Sequence, residues 1–238
     1  MRRAVFAFVA VILPGLAAAQ DLVIPKAAYP NLPAKARSAE GFAPPGWVVE
    51  ASVEGDLNGD GRPDLALVLR QSNPAFRIDH DGLGEKPLDT NPRLLAVAFR
   101  QAGEDYALAL SNHTLIPRRE IPAAEDHFSP EDLSIARGTL RVRLSWFMSA
   151  GSYETFSVTY TFRHQANRFE LIGYDRTDVH RGSGGMTEIS INYLTGRMKT
   201  ERGTIEDDEK KVSWQNLPQR APPTLAQVGD GLQFRPKL

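Results

Sequence analysis

The clearest pattern in the chain is a strict alternation of apolar and polar positions in its second half. Within residues 139–147, Leu140, Val142, Leu144 and Trp146 share one face. Within residues 153–163, Phe156, Val158, Tyr160 and Phe162 share one face. A period of two is typical of half-buried strands. Residues 168–175, 187–194 and 197–200 continue the series, so the second half is predicted to form an antiparallel meander.

The first half carries shorter apolar runs that predict a second group of strands. Residues 47–53 and 65–70 flank a polar loop, and residues 93–100 and 106–110 are separated by a short polar turn. Four such strands would form one blade-like antiparallel sheet. The predicted fold class is therefore all-β, mainly an antiparallel meander, arranged as a β-sandwich or a partial propeller with few short helices.

The polar loop, residues 56–64, is the most specific motif in the chain. It places side-chain oxygens at its positions 1, 3, 5 and 9, on Asp56, Asn58, Asp60 and Asp64. The backbone carbonyl of Arg62 adds another oxygen, and this set suits calcium, a hard cation that takes oxygen ligands. With no Cys or His in the loop, soft metals are not expected. The alternative is an ordinary turn rich in Asn, Asp and Gly that needs no metal.

This loop resembles the calcium loops of FG-GAP and VCBS-type repeats, with Asn58 as a variant at the third position. The resemblance implies an ion that holds a strand hairpin together. The loop is not an EF-hand, because its twelfth position is Leu67 instead of Glu and its flanks are strands. A dockerin-like function would require paired loops, whereas one is present. The loop and residues 169–196 together resemble exported bacterial proteins of unassigned function.

The N-terminus predicts export. Arg2 and Arg3 precede an apolar run that ends in the small residues Ala17 to Ala19, so residues 1–19 form a predicted signal peptide cleaved after Ala19. The protein would then be periplasmic or secreted. It contains no Cys, so disulfides cannot stabilise it, and this favours a structural metal as reinforcement. Further along the chain, no apolar run is long enough to predict a transmembrane segment.

Length and charge restrict the organisation and the partners. We predict an extended lead-in over residues 20–45, a single β domain over residues 46–217 and a C-terminal tail over residues 218–238 that lies along the surface. Loss of Arg2 and Arg3 would change the formal charge from −1 to −3, which argues against nucleic acid as a partner. A protein or a glycan is the expected partner.

Candidate catalytic groups are sparse. The five His residues are scattered without metal-ligand spacing. Asp178, His180 and Ser183 lie in a glycine-rich segment that predicts either a flexible connector or a hydrolytic site. The first hypothesis is therefore a non-enzymatic, calcium-stabilised binding or envelope-associated module. The alternative is a periplasmic hydrolase that acts on envelope glycan or peptide.

Overall fold

The computed structural model describes residues 22–218 and 220–237, and the predicted signal peptide over residues 1–19 lies outside them. In the described part, the strands are β1 (Lys35–Ala36), β2 (Trp47–Gly55), β3 (Asp64–Gln71), β4 (Arg77–Ile78), β5 (Leu88–Asp89), β6 (Arg93–Arg100), β7 (Tyr106–Asn112), β8 (Leu133–Ala136), β9 (Thr139–Trp146), β10 (Glu154–Gln165), β11 (Arg168–His180), β12 (Gly185–Asn192), β13 (Arg197–Thr204) and β14 (Lys211–Asn216). The helical elements there are 3₁₀ turns at Glu40–Phe42, Pro74–Phe76 and Pro130–Asp132, and the short helix α1 (Leu225–Val228). The predicted all-β, antiparallel fold with few short helices is confirmed. No helix in these residues has the length and apolar character needed to cross a membrane.

The first sheet contains the four strands predicted around the polar loop. Its order is β1-β7-β6-β3-β2, with antiparallel pairing throughout, so β2, β3, β6 and β7 form a simple meander. The short strand β1 adds a fifth member by pairing with the start of β7. The polar loop connects β2 to β3, and Gly55 pairs with Asp64 at its base.

The second sheet is the predicted meander, extended at both edges. Its order is β14-β13-β12-β11-β10-β9-β8. The edge strands β8 and β14 are missing from the sequence prediction. A two-residue turn at Arg137 and Gly138, both with positive φ, connects β8 to β9, as in a type I′ hairpin. β14 has apolar residues at alternate positions, Val212 and Trp214, but all its residues are exposed.

One hydrophobic core joins the two large sheets, which corresponds to the sandwich alternative. Ala66, Val68 and Leu95 contribute to it from the first sheet, and Leu140 and Tyr160 contribute from the second. Cross-strand neighbours on β9 and β10 share this face, because the register pairs Val142 with Tyr160 and Leu140 with Phe162. The alternation seen in the sequence therefore marks the inner face of the second sheet.

The lead-in segment covers the outer face of the first sheet. Leu65, Leu67 and Leu69 pack into a second core together with Phe42 and Trp47. β3 is thus buried on both faces, since its intervening residues face the first core. This explains why its sequence is a continuous apolar run instead of an alternating one.

The C-terminal tail is more buried than the sequence predicts. Leu225, Val228 and Leu232 belong to the core between the sheets. The buried Tyr160 hydroxyl donates a hydrogen bond of 2.5 Å to the carbonyl oxygen of Gly231. The prediction that this segment lies along the surface is therefore wrong for these residues. The prolines at 218, 222 and 223 favour a surface path, whereas the apolar side chains that follow them fill one end of the core.

A buried ion-pair cluster fixes one side of the first sheet. The Arg93 side chain is 3% exposed, and its guanidinium donates to both carboxylate oxygens of Glu50 and of Asp126 at 2.6–2.7 Å. Arg70 makes longer contacts with Glu50 and Asp89, at 3.4 and 3.2 Å. The cluster therefore links β2, β6 and the long connection that follows β7.

Candidate metal centre

The loop from Asp56 to Pro63 projects from the hairpin of β2 and β3. Its centre is exposed from Gly59 to Pro63, while Asp56 and Asn58 are half-buried. Gly59 and Gly61 have φ values of +83° and +80°. Only glycine adopts this region readily, so these two positions allow the chain to turn twice within three residues.

Asp56 organises the first part of the loop. Its Oδ1 accepts a hydrogen bond of 2.7 Å from the backbone N–H of Gly59, and its Oδ2 accepts one of 2.9 Å from Gly61. The two positive-φ glycines thus point their N–H groups towards one carboxylate. The loop is wrapped around Asp56.

Asn58 and Asp60 continue the same arrangement one step further. Asn58 Oδ1 accepts from the Asp60 N–H, and Asp60 Oδ1 accepts from the Arg62 N–H, both at 2.9 Å. The Asn58 side-chain amide donates to Asp60 Oδ2 at 3.2 Å, and the Arg62 guanidinium forms an ion pair with the same oxygen. The backbone hydrogen bond from Arg62, with help from Asn58 and the Arg62 charge, lowers the pKa of Asp60.

Asp64 is turned into the protein. Its side chain is completely buried, and Oδ2 accepts from the N–H groups of Leu57 and Asn58 at 2.8 and 3.2 Å. Oδ1 accepts from the Arg100 N–H at 2.9 Å. Burial raises the pKa of Asp64, against the opposing effect of these three N–H donors. The carboxylate therefore ties the start of the loop to the end of β6.

The structure brings three of the five predicted ligand residues together. Asp56, Asn58 and Asp60 share the loop's hydrogen-bond network, Arg62 contributes its N–H and guanidinium to it, and Asp64 lies beneath it. Over the described ranges, no three Asp, Glu, His or Cys side chains converge as a metal-binding group. The donor chemistry still fits calcium, since two carboxylates, one amide oxygen and the Arg62 carbonyl are all hard oxygen ligands. Asp64 as a direct ligand stays a prediction.

The glycine-rich segment near His180 shows one contact of chemical interest. Ser183 Oγ lies 2.9 Å from His180 Nδ1, but the Ser183 backbone N–H also donates to that nitrogen at 3.0 Å. Both residues are at least partly exposed. The Asp178 carboxylate accepts hydrogen bonds of 2.6–3.0 Å from the Arg176 guanidinium. It therefore does not serve as the third member of a catalytic triad with Ser183 and His180.

Arg181, in the same glycine-rich segment, also has its hydrogen-bond donors occupied. Its guanidinium donates to the carbonyl oxygens of Met148 and Ser152 at 2.7 and 2.6 Å and lies over the Phe147 ring. These contacts hold the turn after β11 against the connection that follows β9. The segment is thus well explained as an ordered turn.

Comparison of the chain with models of known protein families, with curated proteins and with solved structures finds no match.

Proposed function

We propose that this protein is an exported, non-enzymatic binding domain in which calcium stabilises the hairpin of β2 and β3. The observation that carries the proposal is the loop itself. Asp56, Asn58 and Asp60 are held within one short turn by backbone N–H groups, which gathers their side-chain oxygens in one loop, where a cation would replace the Arg62 guanidinium at Asp60 Oδ2. Such a turn is the type that a calcium ion occupies in a hairpin loop.

Electrostatics favours an ion at this place. Asp56, Asp60 and Asp64 concentrate negative charge within nine positions, and only the Arg62 guanidinium compensates it inside the loop. Bound calcium would take over the role of Arg62 towards Asp60 and would leave the guanidinium free in solvent. Asp56, Asn58, Asp60 and the Arg62 carbonyl would hold the ion, with Asp64 as the fifth predicted ligand residue and water completing the shell.

The predicted compartment supports a weak structural site. Extracellular modules bind calcium with dissociation constants of about 10⁻⁴ to 10⁻³ M, and a domain without Cys gains its reinforcement from packing and metal. The ion supplies charge neutralisation and rigidity. The binding surface itself lies elsewhere on the domain.

A hydrolase is the second candidate, and the contact between Ser183 and His180 is what favours it. Nucleophilic catalysis needs a base within hydrogen-bond reach of the nucleophile and a third group that orients the base. Ser183→Ala should abolish hydrolysis of an activated ester or glycoside if the pair is catalytic. Equal turnover by parent and variant would remove this candidate.

Calorimetric titration tests the calcium proposal. The parent protein is expected to bind one calcium ion, and Asp60→Ala is expected to bind none. Asp105→Ala, which removes a partly exposed carboxylate from the turn between β6 and β7, is the matched control and should bind as the parent does. Equal calcium affinity in the parent and Asp60→Ala would overturn the ligand assignment.

A further inference from the structure

A cleft of about 640 Å³ lies between the end of the second sheet and the segments that pack against it. Its wall includes Tyr29 from the lead-in, His113 and His127 from the connection after β7, Trp146 from β9 and Phe156 from β10. The tail adds Asp230 and Gln233. The cleft is remote in sequence from the calcium loop, and it is assembled from five separate parts of the chain.

A row of stacked rings forms one surface of this cleft. His127 stacks on Trp146 with ring centroids 5.3 Å apart, and Trp146 stacks on Phe156 at 6.3 Å. Trp146 and Phe156 are half-buried, so both retain accessible ring surface, unlike Tyr160 and Phe162 in the core. A second stacked pair, Tyr29 and His113 at 4.2 Å, also lines the cleft.

His127 carries an unused hydrogen-bonding group at this site. The residue is 3% exposed, and its Nδ1 atom has no hydrogen-bond partner among the described residues. Burial lowers the pKa of His127, so the ring is neutral at pH 7. A buried polar atom without a partner is costly, and a ligand hydroxyl would remove this cost once the imidazole turns its Nδ1 atom, which has almost no accessible surface, towards the cleft.

The rim of the cleft is polar and of mixed charge. Glu120 is exposed and belongs to the lining, as do Asp230 and Gln233, which hydrogen-bond to each other at 3.0 Å. Arg118 also lines the cleft, but its guanidinium donates to the backbone carbonyls of Thr90 and Pro25 and makes a long ion pair of 4.0 Å with Glu120. The polar groups left for a ligand are therefore mostly carboxylate and amide oxygens with one amide donor.

These charges discriminate among ligand classes. The carboxylates of Glu120 and Asp230 disfavour phosphates and other anions. The Arg176 guanidinium lies 3.7 Å from the centroid of the Phe156 ring and already uses that ring's affinity for cations. With Arg118 nearby, an organic cation is disfavoured as well. A neutral ligand with one apolar face and many hydroxyls matches the cleft.

We propose that this cleft binds a sugar ring of an uncharged oligosaccharide, with the apolar C–H side of the sugar packed against the ring surface that Trp146 and Phe156 leave accessible, and with its hydroxyls bonded to His127, Glu120, Asp230 and Gln233. The inference names the ligand of the binding domain proposed above and rests on that function. It does not depend on the calcium ion, because the two sites share no residue.

Titration of the purified protein with neutral tetrasaccharides tests the proposal. The probes are the β-1,4-linked tetrasaccharides of N-acetylglucosamine and of glucose and the α-1,4-linked tetrasaccharide of glucose, followed by calorimetry and tryptophan fluorescence. At least one probe is expected to bind, and Trp146→Ala should weaken its binding by about tenfold or more. Trp214→Ala removes an exposed Trp (57%) on β14 and should change affinity by less than about twofold.

A rim variant covers the possibility that Trp146→Ala fails to fold. Glu120→Ala alters an exposed side chain, leaves the stacked rings in place and should still weaken binding by about fivefold. The inference is overturned if no probe binds at concentrations up to about 10 mM. It is also overturned if both variants bind as the parent does, or if phenyltrimethylammonium or adenosine monophosphate binds through Trp146 while every sugar fails.

Running each titration with calcium, with a chelator and in Asp60→Ala separates the two proposals. If sugar binds and no calcium response is seen, the sugar-binding proposal is supported and the calcium proposal is refuted. A calcium response without sugar binding would do the reverse.

Discussion

The Asp64 carboxylate and the Arg100 backbone N–H are joined by a hydrogen bond of 2.9 Å across 36 positions of sequence. The other oxygen of the same carboxylate accepts from Leu57 and Asn58. Asp64 therefore fastens the beginning of the loop to the end of β6. The loop has a protein scaffold beneath it that does not depend on an ion.

Asp64→Ala is expected to lower the free energy of unfolding by about 3 kcal/mol, because it leaves buried backbone N–H groups without an acceptor. The loss should be seen in urea denaturation carried out in the presence of a chelator. Asp60→Ala removes hydrogen bonds only on the exposed part of the loop and should lower stability in the chelator less than Asp64→Ala does. If the two variants behave alike without calcium, the structural role of Asp64 is refuted.

Gly61→Ala should strain the loop through its backbone. With φ at +80°, an alanine costs about 1 to 2 kcal/mol although no atom lies within 4 Å of the added Cβ. Gly103→Ala is the matched control, since Gly103 is equally open and its φ lies outside the positive region. Equal unfolding free energies for the two variants would show that the turn at Gly61 is not built as described.

Arg93→Met should be the most destabilising change in the ion-pair cluster. It removes the shared partner of Glu50 and Asp126 and leaves their buried charges uncompensated. The expected cost is about 3 kcal/mol. This value is the lower end of the usual range, because the Asp126 side chain is 33% exposed. Arg70→Met breaks longer contacts at a more exposed position and should cost about 1 kcal/mol or less. Chemical denaturation at pH 7 compares the two, and a larger loss for Arg70→Met would contradict the assignment.

His127 predicts a specific pH dependence. Burial lowers the pKa of His127, and the effect of the neighbouring Asp126 charge only partly opposes it. The unfolded chain therefore takes up the proton more readily, and the parent loses stability as the pH falls below about 6.5. His127→Phe keeps an aromatic ring beside Trp146 and cannot be protonated.

The stability difference between His127→Phe and the parent should accordingly shift in favour of the variant on acidification, by at most about 1.4 kcal/mol per pH unit below pH 6.5. Denaturant titrations at pH 7, 6 and 5 measure it. A difference that stays constant over this range would mean that His127 is not held neutral by burial.

Much of the fold could be predicted because many strands have one buried and one exposed face, which gives their sequences alternating apolar and polar residues. The alternation over residues 139–147 and 153–163 reappears as β9 and β10, with Leu140, Val142 and Tyr160 completely buried. β3 was recognisable as a continuous apolar run because the lead-in covers its second face. These features are local in sequence, so that pattern and structure coincide.

The remaining features depend on contacts between distant segments. In β14 the alternation is limited to Val212 and Trp214, and its exposed residues gain their pairing only from β13. The inward orientation of Asp64 requires the Arg100 N–H, and the cleft beside Trp146 requires the tail to fold back over β10. Local periodicity contains no information about such contacts between segments that are distant in sequence.

Thermal unfolding of the protein with calcium and with a chelator tests the proposed calcium site most directly. At about 100 times the dissociation constant, binding to the folded state alone contributes about 2.7 kcal/mol, which for a domain of this size raises the midpoint by about 5 to 11 °C. We expect this shift in the parent and its loss in Asp60→Ala. Identical midpoints with calcium and with chelator in the parent would contradict the proposal and would leave residues 56–64 as a turn held by its own hydrogen bonds.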